Sequence, residues 1–180
     1  MFIRLNIIFL LLVVIISTGC DSDRSYMNDN QNSNNPEKEK KESLVKVNRY
    51  MVNSENREID NYIRRHGLDV IETGSGLKYQ IVKEGKGQKS QKGKIVTLDY
   101  RVKLITGDII YSSAEDGPLT FEIGHGGVET GLEEAILNMR MGDEAIIIIP
   151  SHLGHGLLGD QNKIPQRSTI IYEVKITNIN

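Results

Sequence analysis

The sequence predicts an α+β domain, an antiparallel sheet covered by one short helix, with a helical leader ahead of it. Three observations carry this. Strand-like runs recur from Leu77 to Ile176, a single amphipathic helical stretch interrupts them after Thr130, and a segment of helical period, Leu44 to His66, stands in front.

The chain has 180 residues, and its first elements concern delivery. Arg4, the apolar run Ile7 to Ile16 and Ser17-Thr18-Gly19-Cys20 have the layout of a basic region, a short hydrophobic region and a small-residue cleavage site. A membrane-spanning helix needs about 20 apolar residues, and this run is too short to remain as an anchor. Cys20 is the only cysteine, which excludes a disulfide within one chain. The segment resembles a bacterial lipoprotein signal, with Ser17 where many such signals have Leu. Residues 1–19 are then a signal peptide and Cys20 the acylated first residue of a lipid-anchored envelope protein on the extracytoplasmic or periplasmic side.

Residues 20–43, rich in Asn, Ser, Asp, Lys and Glu, cannot bury enough apolar surface to offset their ordering entropy. They read as a disordered tether spanning roughly 25 to 30 Å as a coil and about 80 Å when stretched. Lys+Arg 22 against Asp+Glu 24 gives a net charge of −2, so nothing suggests a nucleic-acid partner. The basic cluster at Lys38, Lys40 and Lys41 is offset by Glu37, Glu39 and Glu42, as on a solvated segment.

Residues 44–75 form the helical leader. Leu44, Val47 and Met51 share one face, as do Ile59, Tyr62, Ile63 and His66, and Asn53-Ser54 marks an expected break before Gly67 ends the run. An ordered spacer docked on the core is the expected role; pairing of two copies into a homodimer is the other use this face offers. The domain proper occupies 76–180. Leu77, Tyr79 and Ile81 alternate as a half-buried strand, and Val96, Leu98, Tyr100, Val102 and Leu104 as a longer one. Thr106-Gly107-Asp108 then turns into Ile109-Ile110-Tyr111 as a hairpin. Gly117-Pro118 opens a short strand from Leu119 to Ile123. Thr130 is placed to cap a helix that buries Leu132, Ala135, Ile136 and Met139. Ala145 to Ile149 is a continuous apolar strand stopped by Pro150, and Thr169 to Ile176 closes the domain.

Tyr100, Gly107 with Ser112-Ser113, Phe121, Gly124, Val128 with Gly131, Met139 with Gly142, Pro150, Gly156 and Ile164-Pro165 follow one another in an order specific in combination. In this the chain resembles the FKBP-type peptidyl-prolyl cis-trans isomerases, over about Gly76 to Ile179. The portion from Leu44 to Gly87 is similar to the leader of envelope lipoproteins of this family, including gliding-motility-associated ones. The resemblance implies a twisted antiparallel sheet of five or six strands wrapped around the short helix. It also implies isomerisation of X-Pro bonds in proline-containing clients, assisting the folding of exported proteins, without cofactor or metal.

Crossing the X-Pro barrier of about 20 kcal/mol makes and breaks no bond. An apolar socket that grips the proline ring and desolvates the amide favours the twisted, less polar form. By resemblance Tyr100, Val128, Ile164 and Tyr172 fall on pocket positions, Phe121 lines the socket from below, and the backbone N–H of Glu129 anchors the substrate chain. Several positions depart from the family pattern. Ile110 and Tyr111 stand where an aromatic and an aspartate are usual, Leu119 replaces Phe, and Leu132 replaces the aromatic floor. Glu129 replaces an aliphatic residue and His155 the Tyr of the usual Ala-Tyr-Gly. With no Trp in the chain and Phe2 and Phe9 in the signal, Phe121 is the only Phe left to a more aliphatic socket. These departures frame the alternative, a tethered binding or chaperone module with weak or no catalysis. His125, His152 and His155 are read as solvated loop residues and not as metal ligands.

Overall fold

The structure, a computed structural model, describes residues Pro36–Asn180, so the signal segment, Cys20 and the first part of the tether lie outside the described residues. Glu42–Asn180 forms one compact unit. Among the described residues no helix is long and apolar enough to cross a membrane.

Helix α1 spans Pro36–His66, starting within the stretch read as tether and passing Asn53-Ser54 without the expected break. Low apolar content is compatible with helix when the residues are good formers. Proline suits the first helical position, and glutamates precede lysines by four residues at Glu37/Lys41 and Glu42/Lys46. Glu37 and Glu39 in the first turn and Arg64, Arg65 and His66 in the last complement the dipole. Gly67, at φ 61°, ends the helix where a left-handed residue is needed. His66 sits where expected, its ring stacked on Tyr62 at 3.9 Å and its Nδ1 2.9 Å from the Tyr62 carbonyl.

Strands β1 (Ile71–Glu72), β2 (Lys78–Lys83), β3 (Ile95–Leu104), β4 (Ile109–Ser112), β5 (Leu119–Glu122), β6 (Glu144–Ile149) and β7 (Ile170–Ile179) form one sheet. Its order is β1-β2-β6-β7-β3-β4, with β5 paired to the start of β3, and every pairing is antiparallel. The sheet thus has seven strands, the two-residue β1 adding to the five or six expected. Strand β3 pairs with β7 along Val96–Leu104 and shares its other edge between two partners, β5 along Ile95–Leu98 and β4 along Arg101–Lys103. Helix α2 (Ser113–Asp116) is a single turn after β4.

Helix α3 (Thr130–Leu137) covers the front of the sheet and buries Leu132, Ala135 and Ile136, with Met139 just beyond, against Leu98, Phe121, Ile147 and Ile149. Gly131 permits this approach, since a Cβ there would lie 2.6 Å from Cγ2 of Ile149. The N-cap is Glu129 and not Thr130, and no side chain caps the helix. The rear face is closed by α1, whose Ile59 and Tyr62 bury against Ile148 and Ile171. Strand β6 is therefore covered on both sides, which is why its sequence is apolar without alternation.

Candidate functional site

A cavity of about 510 Å³ opens on the front of the sheet beside the N-terminus of α3. Strand β3 supplies Tyr100 and Val102, β4 Tyr111, β5 Leu119 and β7 Tyr172; Gly127, Val128 and Glu129 come from the turn before α3, and Gly154 and His155 from the loop after β6. The rings of Tyr100 and Tyr172 stand 6.3 Å apart at 43°, forming two walls. Seven of the residues singled out in the sequence line this space: Tyr100, Tyr111, Leu119, Val128, Glu129, His155 and Tyr172. Ile110, Phe121, Leu132 and Ile164 lie instead in the buried core, supporting the walls from behind. Val102, Gly127 and Gly154 were not singled out. Val102 was legible only as a core-facing strand residue, and the glycines contribute backbone that no side-chain argument flags.

The polar contents of the cavity follow from the substitutions. Glu129, as N-cap, has φ −61° and ψ 139°, and its carboxylate turns into the cavity. It accepts the Tyr172 hydroxyl at 3.0 and 3.1 Å on its two oxygens and lies 2.8 Å from Nε2 of His155. Its side chain is 11 % exposed, so these bonds replace most of its lost hydration. Burial, with the Glu129 charge and its hydrogen bond next, pushes the Tyr172 phenol well above the ordinary tyrosine range, which keeps it a donor.

A second constellation lies across the mouth. The Tyr111 hydroxyl donates to Asp160 Oδ2 at 2.5 Å and accepts from Asn162 Nδ2 at 3.1 Å, while Lys163 Nζ stands 4.8 Å from the Tyr111 ring centre. Lys163 also donates to the Ile110 carbonyl at 2.9 Å. Desolvation opposes ionisation of Asp160, but hydrogen bonds from Tyr111 and from the N–H groups of Asn162 and Ile164 outweigh it and hold the carboxyl at about 2. The same bond to Asp160, then burial, raises the Tyr111 phenol. Tyr111, which stands where the resemblance has an aspartate, thus meets a carboxylate from the loop after β6.

The remaining histidines are occupied elsewhere: Nδ1 of His125 lies 3.0 Å from Glu122 Oε1, and Nε2 of His152 3.0 Å from the Ser75 carbonyl. Among the described residues no group of three or more His, Cys, Asp or Glu could hold a metal ion. A larger groove of about 920 Å³ runs alongside the contact of α1 with the rear of the sheet, but Glu58, Arg65, Lys103 and Glu173 wall it with charge, unlike the apolar front cavity.

The family model described as FKBP-type peptidyl-prolyl cis-trans isomerase matches residues 86–177, just over half of the chain. A probable FKBP-type peptidyl-prolyl cis-trans isomerase FkpA of Neisseria meningitidis is 38% identical over 108 residues, covering 59% of this chain and 39% of the relative. The peptidyl-prolyl cis-trans isomerase FKBP15-1 of Arabidopsis thaliana is 35% identical over 120 residues, covering 66% of this chain and 76% of the relative. Among solved structures, FkpA from Escherichia coli superposes with a TM-score of 0.63 at 26% identity, over 78% of this chain and 66% of that one. The match thus spans about two fifths of the Neisseria relative's length. With a family match of this extent, over the strands and loops that build the cavity, the chain belongs to the FKBP-type peptidyl-prolyl cis-trans isomerase family.

Proposed function

We propose that the protein is a peptidyl-prolyl cis-trans isomerase acting on proline-containing polypeptides, with the cavity between Tyr100, Val128 and Tyr172 as its proline socket. The observation that carries this is the cavity's build: apolar walls from Tyr100, Val102, Leu119 and Val128, with Glu129 at the N-terminus of α3. The walls strip water from the X-Pro amide, and the Glu129 N–H donates to the carbonyl preceding the proline. Loss of conjugation makes the twisted amide less polar, so the socket favours it over the planar ground state. No residue is required as a nucleophile. A protease-coupled isomerisation assay on residues 43–180 with a prolyl tetrapeptide tests this; acceleration no greater than an unrelated protein gives rejects catalysis.

A second reading, a binding or chaperone module, is favoured by the Glu129–His155–Tyr172 hydrogen bonds, which place a carboxylate where an aliphatic residue is usual. Peptide affinity without turnover would select it. The gliding-motility likeness of the leader names no client. The domain layout completes the proposal: signal 1–19, an acylated Cys20, a tether, the leader and the isomerase domain, working in the cell envelope. Replacing Cys20 with Ser and fractionating cells tests the anchor, and unchanged membrane association rejects it. The exposed Leu44, Val47 and Met51 on α1 are the surface through which a homodimer would form; sedimentation of a Leu44→Asp variant tests that use.

A further inference from the structure

The loop between β6 and β7 carries His155 to the socket and Ile164 to the core behind it, with one 3₁₀ turn, Ser151–Leu153, as its regular structure. Both its ends are held by one side chain from the leader. Glu55 of α1 accepts from the Ser151 N–H at 2.6 Å and the Ser151 hydroxyl at 2.9 Å, where the loop begins. It also accepts from the Thr169 hydroxyl at 2.8 Å, where the loop ends. Ser151 and Thr169 are both buried, and hydrogen bonds to an ionised acceptor are the stronger kind.

The restraint passes inward. The Ser151 carbonyl accepts the N–H groups of Gly154 at 3.2 Å and Gly156 at 2.8 Å, the two neighbours of His155. The Gly156 carbonyl accepts the Arg167 N–H at 2.8 Å, returning to the loop's far end. His155 then meets Glu129, and Glu129 meets Tyr172. Hydrogen bonds joined by short backbone steps at Ser151 and at Gly154-His155-Gly156 therefore connect the middle of the leader helix to the wall of the socket.

We propose that Glu55 is a positioning residue for the isomerase site and that the leader helix is a working part of that site, its docking setting the loop that walls the socket. This rests on the isomerase reading. When α1 is docked the loop is fixed at both ends; when it lifts, Gly154 and His155 lose their frame and the socket loosens. Small misplacements in a site can cost about a hundredfold in rate.

The test uses the full chain as wild type, Glu55→Ala and Glu55→Gln, with Ile176→Val as a core substitution remote from the loop. Amide hydrogen exchange at Gly154 and Gly156 is measured beside kcat and KM for a prolyl peptide. In Glu55→Ala, exchange at both glycines rises about tenfold or more with the β7 amides unchanged, as for a local opening. In the same variant kcat/KM falls about tenfold, and Glu55→Gln, which retains one acceptor oxygen, lies between. Unchanged exchange at the glycines, or a rise shared by β7 or reproduced by Ile176→Val, overturns the proposal. If the wild type turns over no prolyl peptide, the isomerase reading is what fails, and the glycine exchange together with peptide affinity still decides whether Glu55 positions the socket.

Discussion

The two faces of the sheet are closed in different ways. In front, α3 seals a continuous core in which Leu98, Leu132, Ile136, Ile147 and Ile149 are wholly buried. Behind, α1 buries only Ile59 and Tyr62 against Ile148 and Ile171 and leaves a charged groove of about 920 Å³ alongside. The front is an interior and the rear is a docking contact. Burial on the scale of the front decides whether the domain folds; the smaller rear contact, supplemented by the Glu55 hydrogen bonds, decides where a loop sits.

The sharpest way to break this comparison is to cut one anchor on each side. Leu132→Ala removes a fully buried side chain and is expected to cost about 2 to 5 kcal/mol in urea denaturation of the whole domain. Ile59→Ala, equally buried, is expected to release α1 to proteolysis while the domain's own transition moves less. Equal losses in the domain transition would make the helix part of the fold's core.

Peptide affinity sharpens the front face further. Tyr100→Ala removes a wall of the socket and should weaken binding of a prolyl peptide by about 1.5 to 3 kcal/mol by calorimetry, whereas Lys86→Ala on the exposed surface should do nothing. Equal effects would misplace the socket.

Tyr172→Phe is next in size, since it leaves both oxygens of the Glu129 carboxylate without their phenol donor. A cost of about 1 to 3 kcal/mol in stability is expected, and in a Glu129→Ile background the same change should cost much less. Additive losses in that cycle would mean the two groups are not coupled.

The smallest effect is a pH dependence. Asp160 titrates at about 2 when folded against an ordinary 3.8, so it binds fewer protons folded than unfolded. Its contribution is complete above the ordinary value and is lost as pH falls from about 4 to about 2. The stability difference between wild type and Asp160→Asn should therefore narrow over that window on acid unfolding. A gap independent of pH would show that the Tyr111 and backbone hydrogen bonds do not select the carboxylate.

Much of the front face was legible because its signals are local. Alternation at Val96, Leu98 and Val102, the i, i+3, i+4 spacing of Leu132, Ala135 and Ile136, and glycines at turns need no partner to be read. Of the residues that line the cavity, Tyr100, Leu119, Val128, Glu129 and Tyr172 were named by the resemblance, and alternation added only that Tyr100 shares a strand face with Val102. The roles of Ile110, Phe121, Leu132 and Ile164 as backing for the walls could not be read, because a resemblance names positions near a ligand without saying which way each side chain faces.

By itself the sequence determined the fold class and the order of strands and helix, since period and punctuation act over a few residues; the residues proposed for the socket came from the resemblance and not from period. The sequence also determined the presence of a leader helix but not its length, because polar composition alone does not separate a solvated helix from a coil. Only the tertiary structure decided which carboxylate serves which wall. Glu129 with His155 and Tyr172, Tyr111 with Asp160, and Glu55 with Ser151 and Thr169 are pairs 26 to 114 residues apart. A charge in the chain carries no mark of its partners until folding removes water from it and brings their donors within reach.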